Sequence, residues 1–235
     1  TFWVANSMEL FERWAWYGMF AVFAIYLTDS TDTGALGFSQ SQKGYLMGPL
    51  VAFLYLLPVV TGAIADKFGY KKVLLVAFGM LSMGYFLMPL VNSYAGVYLV
   101  FMFIALGAAL FKPVISATIA RTTHEGNSSI GFGIFYMMVN IGAFIGPIFA
   151  SKLRGVSWSY VFYMSAGIAL LNFVLVLFFY REPSRIQSDE KLAKAIGTIW
   201  KSMVKVILDF RFLLFLLIIV GFWAMYYTFT GGAGF

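Results

Sequence analysis

Apolar and polar positions alternate along this chain in long blocks rather than at short period. Seven apolar runs predict helices at about 4–28, 42–65, 71–91, 94–120, 130–151, 158–180 and 210–229. Each is about 20 residues or more, long enough to cross the ~30 Å hydrocarbon core of a bilayer. The connections are short except for two. Residues 29–41 form a polar loop, and residues 181–209 carry charge with a helical rhythm. In the latter, Ile196, Ile199, Trp200, Met203, Val204 and Ile207 recur at helical spacing, with Lys191, Lys194, Lys201 and Lys205 mainly elsewhere. That pattern predicts an amphipathic helix on the inner leaflet, linking two bundles or, alternatively, displayed to a partner.

The first run breaks the rule that the others obey. Glu9, Glu12 and Arg13 lie inside it, where an unpaired charge costs at least a few kcal/mol. At 100° per residue Glu9, Glu12, Arg13, Trp16, Phe20 and Phe23 fall within about 100° of one another, so one helix face carries them all. This face is expected to point into a protein interior or wet cavity, as a functional cluster or as a salt bridge that only fixes packing.

Composition agrees with the block pattern: 61% of residues are hydrophobic and 11% charged, well outside the range of soluble domains. The expectation is a multi-pass integral membrane protein. There is no cysteine, so disulfide and thiolate-metal chemistry are excluded. The +6 net charge is explained by topology, not by nucleic-acid binding. With a cytoplasmic N-terminus, eleven basic residues fall inside (Lys67, Lys71, Lys72, Arg121, Arg181, Arg185, Lys191, Lys194, Lys201, Lys205, Arg211). Only Lys43, Lys152 and Arg154 fall outside. The bias orients the protein in what is expected to be the plasma (inner) membrane, with 181–209 in the cytoplasm.

Lys112 is the second intramembrane cation, within Phe111-Lys112-Pro113. Glu9 and Glu12 can balance Arg13 and Lys112, so the four are expected to form one network. Protonating a carboxylate would release Lys112, the physical basis of a proton-coupled switch; the alternative is a static interhelical ion pair. Between the second and third runs lies Gly62-Ala63-Ile64-Ala65-Asp66-Lys67-Phe68-Gly69, followed by two further lysines. A loop that only set topology would need the lysines but not Gly62, Asp66 and Gly69 at this spacing. In the fifth run Tyr136 and Asn140 are four apart and share a face for a polar ligand or a neighbouring helix. His124, the sole histidine, reads as a solvated loop residue, and Gly131-x-Gly133 lacks the strand that dinucleotide binding requires. No nucleophile–base pair or metal-ligand cluster supports an enzyme.

Together, Glu9-x-x-Glu12-Arg13 with Tyr17-Gly18, the Asp66 loop, Phe111-Lys112-Pro113 and Phe135-Tyr136-x-x-Asn140-x-Gly142 resemble the proton-dependent oligopeptide transporter family of the major facilitator superfamily. Phe222-Trp223-Ala224-Met225-Tyr226 is similar to the aromatic start of that family's second half. The resemblance implies an all-α fold: a six-helix N-terminal bundle (1–182), a cytoplasmic amphipathic linker (183–209) and the first helix of a C-terminal bundle (210–235) whose remainder is missing. It implies proton-driven symport of di- and tripeptides by alternating access, with no cofactor but the coupling proton. Glu9, Glu12, Arg13 and Lys112 would couple protons. Tyr17, Trp16, Phe20, Lys112, Tyr136 and Asn140 would line the substrate site, and Gly62, Asp66 and Gly69 would gate the inward side. Trp16 stands where the family usually has tyrosine, and Phe20 where it usually has arginine, which makes the pocket more apolar. Another cargo on the same machinery, such as an amino acid or drug-like metabolite, stays open; so does a non-transporting sensor or scaffold.

Overall fold

The computed structural model of the protein describes residues 1–183 and 192–231, and every regular element among them is helical. Six long helices make up the unit that spans Thr1–Asp189: α1 (Phe2–Thr28), α2 (Gln40–Phe68), α3 (Tyr70–Leu87), α4 (Tyr94–Thr122), α5 (Ser128–Arg154) and α6 (Trp158–Phe179). Serine side chains cap the starts of α2, α4 and α6. Ser39 accepts from the Gln42 amide at 3.1 Å while Gln42 accepts from the Ser39 amide at 2.8 Å, a reciprocal cap that starts α2 two residues before the predicted boundary. Ser93 and Ser157 cap α4 and α6 without the reciprocal bond, their hydroxyl oxygens accepting from the Gly96 and Ser159 amides.

α1 packs chiefly on α5 and α6, α3 on α4 and α6, and α2 on α4. The α1–α5 crossing is a backbone contact. A Cβ on Gly146 would lie 2.7 Å from the Gly18 nitrogen and the Trp14 carbonyl oxygen, and one on Gly142 would lie 2.5 Å from the Leu10 oxygen. Only glycine fits at either point, and the apolar solvent leaves such close approach as the main source of helix–helix attraction. Polar side chains add interhelical bonds: Asn172 donates to the Met8 carbonyl at 3.0 Å, Ser165 to Ala15 at 3.0 Å, and Ser82 to Ala166 at 3.0 Å. The loop after α1 folds back on it, with the Leu36 amide donating to Tyr26 and the Phe38 amide to Leu27.

By length and hydropathy α3, with its following turn, and α4, α5 and α6 are each able to cross a bilayer. α1 matches the predicted boundaries but is diluted by Glu9, Glu12 and Arg13. Hydropathy understates it because the three side chains are buried against partners rather than facing lipid.

The second unit, Glu190–Phe235, holds α7 (Leu192–Ile207) and α8 (Phe210–Gly231). Asp209 accepts from the Arg211 and Phe212 amides at 2.9 and 3.1 Å, which caps α8. α7 carries the amphipathic pattern expected of 181–209. Lys201 and Lys205 are exposed, and Met203 and Ile207 line an apolar groove with Phe212 and Leu216. Lys191, and the side chains of Lys194, Ile196 and Ile199, lie outside the described residues.

Candidate functional site

α1 turns its charged face inward, and the four ionisable groups meet there. Lys112 of α4 donates to Glu9 Oε1 at 2.7 Å. Arg13 Nε stands 3.5 Å from the same oxygen, and its Nε and Nη2 both reach Glu12 Oε2 at 2.5 Å. Glu9 is 0% and Glu12 2% exposed, whereas the Lys112 side chain remains 35% exposed. One carboxylate oxygen therefore holds two cations, and one of those cations has an open side. The second oxygens, Glu9 Oε2 and Glu12 Oε1, are buried without a hydrogen bond among the described residues. A buried acceptor left unmade costs about 1–3 kcal/mol, and a proton on either oxygen would remove that cost by removing the charge. The cluster is neutral as drawn, two acids against two bases, and gains a unit of positive charge on taking up one proton.

The remaining residues predicted for the site are split between two places. Tyr17 lies under Arg13, whose guanidinium carbon is 5.5 Å from the ring centroid, so its face serves the cation. Trp16 stacks on Phe20 at 5.4 Å and on Phe101 of α4 at 6.3 Å, both nearly parallel. This three-ring wall continues from the charged cluster along α1, and Phe101 is a member that α1's periodicity alone does not reveal. Tyr136 and Asn140 are exposed on α5, beside a shallow groove lined by Gly133, Met137, Ile141 and Phe144. The Asn140 amide donates back to the Tyr136 carbonyl at 2.8 Å, which keeps the pair on one helix rather than bonding α5 to a neighbour. The structure thus joins Glu9, Glu12, Arg13, Lys112 and Tyr17, and leaves Tyr136 and Asn140 apart on an open face.

A second polar cluster surrounds the predicted gating loop. Gly69 has φ +98° where α2 ends and α3 begins, a backbone that glycine adopts without strain. Gly62 is different. A Cβ there would meet Pro113 of α4 at an ordinary 3.7 Å, so packing does not demand glycine at 62. Asp66 accepts from the Tyr70 hydroxyl at 3.1 Å and pairs with Arg121 of α4 at 3.8 Å. Arg121 lies 5.0 Å over the Tyr70 ring, and the Tyr70 amide donates to Glu182 at 2.8 Å. Lys71 donates to the Leu177 carbonyl at 3.0 Å, so it ties α3 to the end of α6 instead of only marking the headgroup region. Arg121, Tyr70 and Glu182 are functional candidates that the sequence reading passes over. The sequence carries no signal for the Arg121 pairing, because an aspartate as exposed as Asp66 does not require a partner.

The family model of the Major Facilitator Superfamily matches residues 7–234. The chain belongs to that superfamily and is a multi-pass integral membrane protein. Dipeptide and tripeptide permease A of Escherichia coli (strain K12) is 31% identical over 185 residues, covering 77% of this chain and 36% of that protein. Dipeptide and tripeptide permease B of Aliivibrio fischeri (strain MJ11) is 29% identical over 215 residues, covering 84% of this chain and 42% of that protein. A POT family transporter solved in complex with 5-aminolevulinic acid superposes with a TM-score of 0.74 at 27% identity, over 97% of this chain and 47% of that one. Within the superfamily the chain stands with the POT, or proton-dependent oligopeptide transporter, branch. It spans less than half the length of these relatives.

Proposed function

We propose that this chain forms the N-terminal part of a proton-coupled symporter of di- and tripeptides that works by alternating access. One observation carries the reading: Glu9, fully buried, holds both Lys112 and Arg13 through a single oxygen while Lys112 stays open on one side. Protonation of Glu9 weakens its hold on Lys112, whose ammonium is then free for the carboxylate of an incoming peptide. Loss of the proton draws Lys112 back and expels the anion. Proton and substrate are thereby linked through one cation, and neither can stay without the other. Glu12 and Arg13 keep the rest of the cluster neutral, and Tyr17 screens the guanidinium. Tyr136 and Asn140, on the open face of α5, supply hydrogen bonds to the peptide backbone. The substrate sits near the bilayer midplane between this bundle and a second one, and Asp66 with Gly62 and Gly69 governs the cytoplasmic side. A cytoplasmic N-terminus and the plasma membrane complete the proposal. The names of the two permease relatives support the peptide cargo.

The Trp16–Phe20–Phe101 stack favours a second reading on the same machinery: a small carboxylate-bearing cargo with an apolar body, such as an amino acid. The full-length protein in proteoliposomes, given labelled dialanine and an inward proton gradient, decides between them. Uptake abolished by a protonophore is expected. Absent uptake, or uptake indifferent to the protonophore, would refute the peptide symport reading.

A further inference from the structure

Pro113 lies inside α4, and having no amide hydrogen it cannot donate to the carbonyl of Ala109 four residues back. A carbonyl freed in this way within a membrane helix must find another donor. It finds one on α2: the Thr61 hydroxyl donates to the Ala109 oxygen at 2.6 Å, with Thr61 buried. This is an unusual use of a helical threonine. Thr28, Thr118 and Thr122 all turn their hydroxyls back onto their own helix, at the carbonyl four residues earlier. Thr61 gives up that local bond and reaches across 48 residues of sequence.

The position matters because Ala109 lies one helical turn from Lys112 and Pro113 follows Lys112 directly. The loosened turn of α4 is thus the one that carries the cation. We infer that Thr61 is a positioning residue for Lys112: by closing the gap that Pro113 opens, its hydroxyl sets how α4 presents the ammonium to Glu9. The Lys112–Glu9 bond ties α4 to α1, so the Thr61–Ala109 bond adds α2 as the third member of the joint. α2 also carries Asp66 in its last turn, paired with Arg121 on α4. The helix that carries the cytoplasmic gate is therefore the one that braces the coupling lysine.

The inference rests on the proposed coupling role of Lys112, and the experiment separates the two. In the full-length protein, Thr61→Val keeps the shape and removes the donor, Thr61→Ser keeps the donor, and Pro113→Ala restores an amide to Ala109. Losing a buried hydrogen bond of this kind is expected to lower proton-driven dialanine uptake about tenfold in Thr61→Val. Dialanine exchange at equal pH on both faces should fall less, since exchange returns the carrier loaded and skips the reorientation of the empty state in which Lys112 is bonded to Glu9. Thr61→Ser should stay within about twofold of the parent. In the Pro113→Ala background, Thr61→Val should add little further loss, and the same suppression should appear in thermal stability measured in detergent. Thr61→Ser as damaged as Thr61→Val, equal losses in uptake and exchange, or no suppression by Pro113→Ala would each overturn the inference. If the parent protein shows no proton-driven uptake, the proposed function fails, and the stability cycle alone still decides whether the hydroxyl serves the carbonyl that Pro113 frees.

Discussion

Replacing Lys112 by methionine tests the charge cluster most directly. The substitution keeps an unbranched side chain one atom shorter and leaves Glu9, 0% exposed, with only Arg13 at 3.5 Å, a cation that Glu12 already holds more closely. Breaking a fully buried pair costs about 3–5 kcal/mol, and an exposed pair about 0.2–1 kcal/mol. Lys112 is 35% exposed and Glu9 is not exposed at all, so about 2–3 kcal/mol is expected, nearly all of it the cost of a stranded carboxylate. Glu9→Gln in the same protein strands the ammonium instead, and because that group reaches open space the cost should be smaller, about 1 kcal/mol. The double variant has neither charge and should lie within about 1 kcal/mol of the parent. The assay is equilibrium unfolding by SDS in mixed micelles. Acidification should narrow the Lys112→Met deficit, because a proton on Glu9 removes the stranded charge, and should leave the double variant unchanged relative to the parent. Additive losses in the double variant, or a Lys112→Met deficit indifferent to acid, would refute the reading that these two side chains sustain each other.

Gly146→Ala would push a methyl to 2.7 Å from two backbone atoms of α1, neither of which can rotate away, and at least 1–3 kcal/mol of destabilisation (roughly, as for overpacking) should appear in the same unfolding assay. Asp66→Asn should barely move stability, by about 0.5 kcal/mol, since Asp66 is half exposed and its pair with Arg121 is 3.8 Å long; dialanine uptake by the full-length protein should nevertheless fall severalfold if the Asp66–Arg121–Tyr70 cluster opens and closes in each cycle.

What the sequence makes legible follows from physical periodicity. An apolar run of bilayer length declares a helix, and three ionisable residues on one face of it declare that the face is buried. Lys112 could be assigned to the Glu9 and Glu12 carboxylates because a membrane leaves a charge few alternatives, and the structure selects Glu9, 103 residues away. Neutral polar bonds carry no such demand, and the sequence is silent about them. Nothing in Thr61, Asn172 or Ser165 says whether the side chain turns back on its own helix or crosses to another. Arg121 and Glu182 were legible only as charges at the ends of apolar runs, because an arginine at such a position needs no partner to account for it. The ring of Phe101 that completes the Trp16–Phe20 wall is indistinguishable, in an apolar run, from a lipid-facing phenylalanine.

Some departures from regular helix lie beside the charges, while Pro49, Pro58 and Pro147 interrupt α2 and α5 elsewhere. Pro113 stands beside Lys112, Gly142 lets α5 touch the backbone beside Arg13, and Gly69 breaks the chain next to Asp66. A proline or glycine in a helix interior costs about 1–3 kcal/mol, and in a bundle stabilised mainly by close packing there is no general reason to place that cost next to a buried ion. The association makes sense if the charged groups must change partners. A lysine on a regular helix turn is held by its neighbours in one register, whereas a lysine beside a turn whose carbonyl is borrowed by another helix can shift when that helix shifts. On this argument the rigid part of the bundle is the α1–α5 contact, sealed by glycine on both sides, and the adjustable part is α4 between α1 and α2. Movement of α2 at its Asp66 end would then be felt at Lys112 through Thr61, and protonation of Glu9 would be felt at Asp66 by the same route in reverse, as linkage requires of any two sites that share a joint.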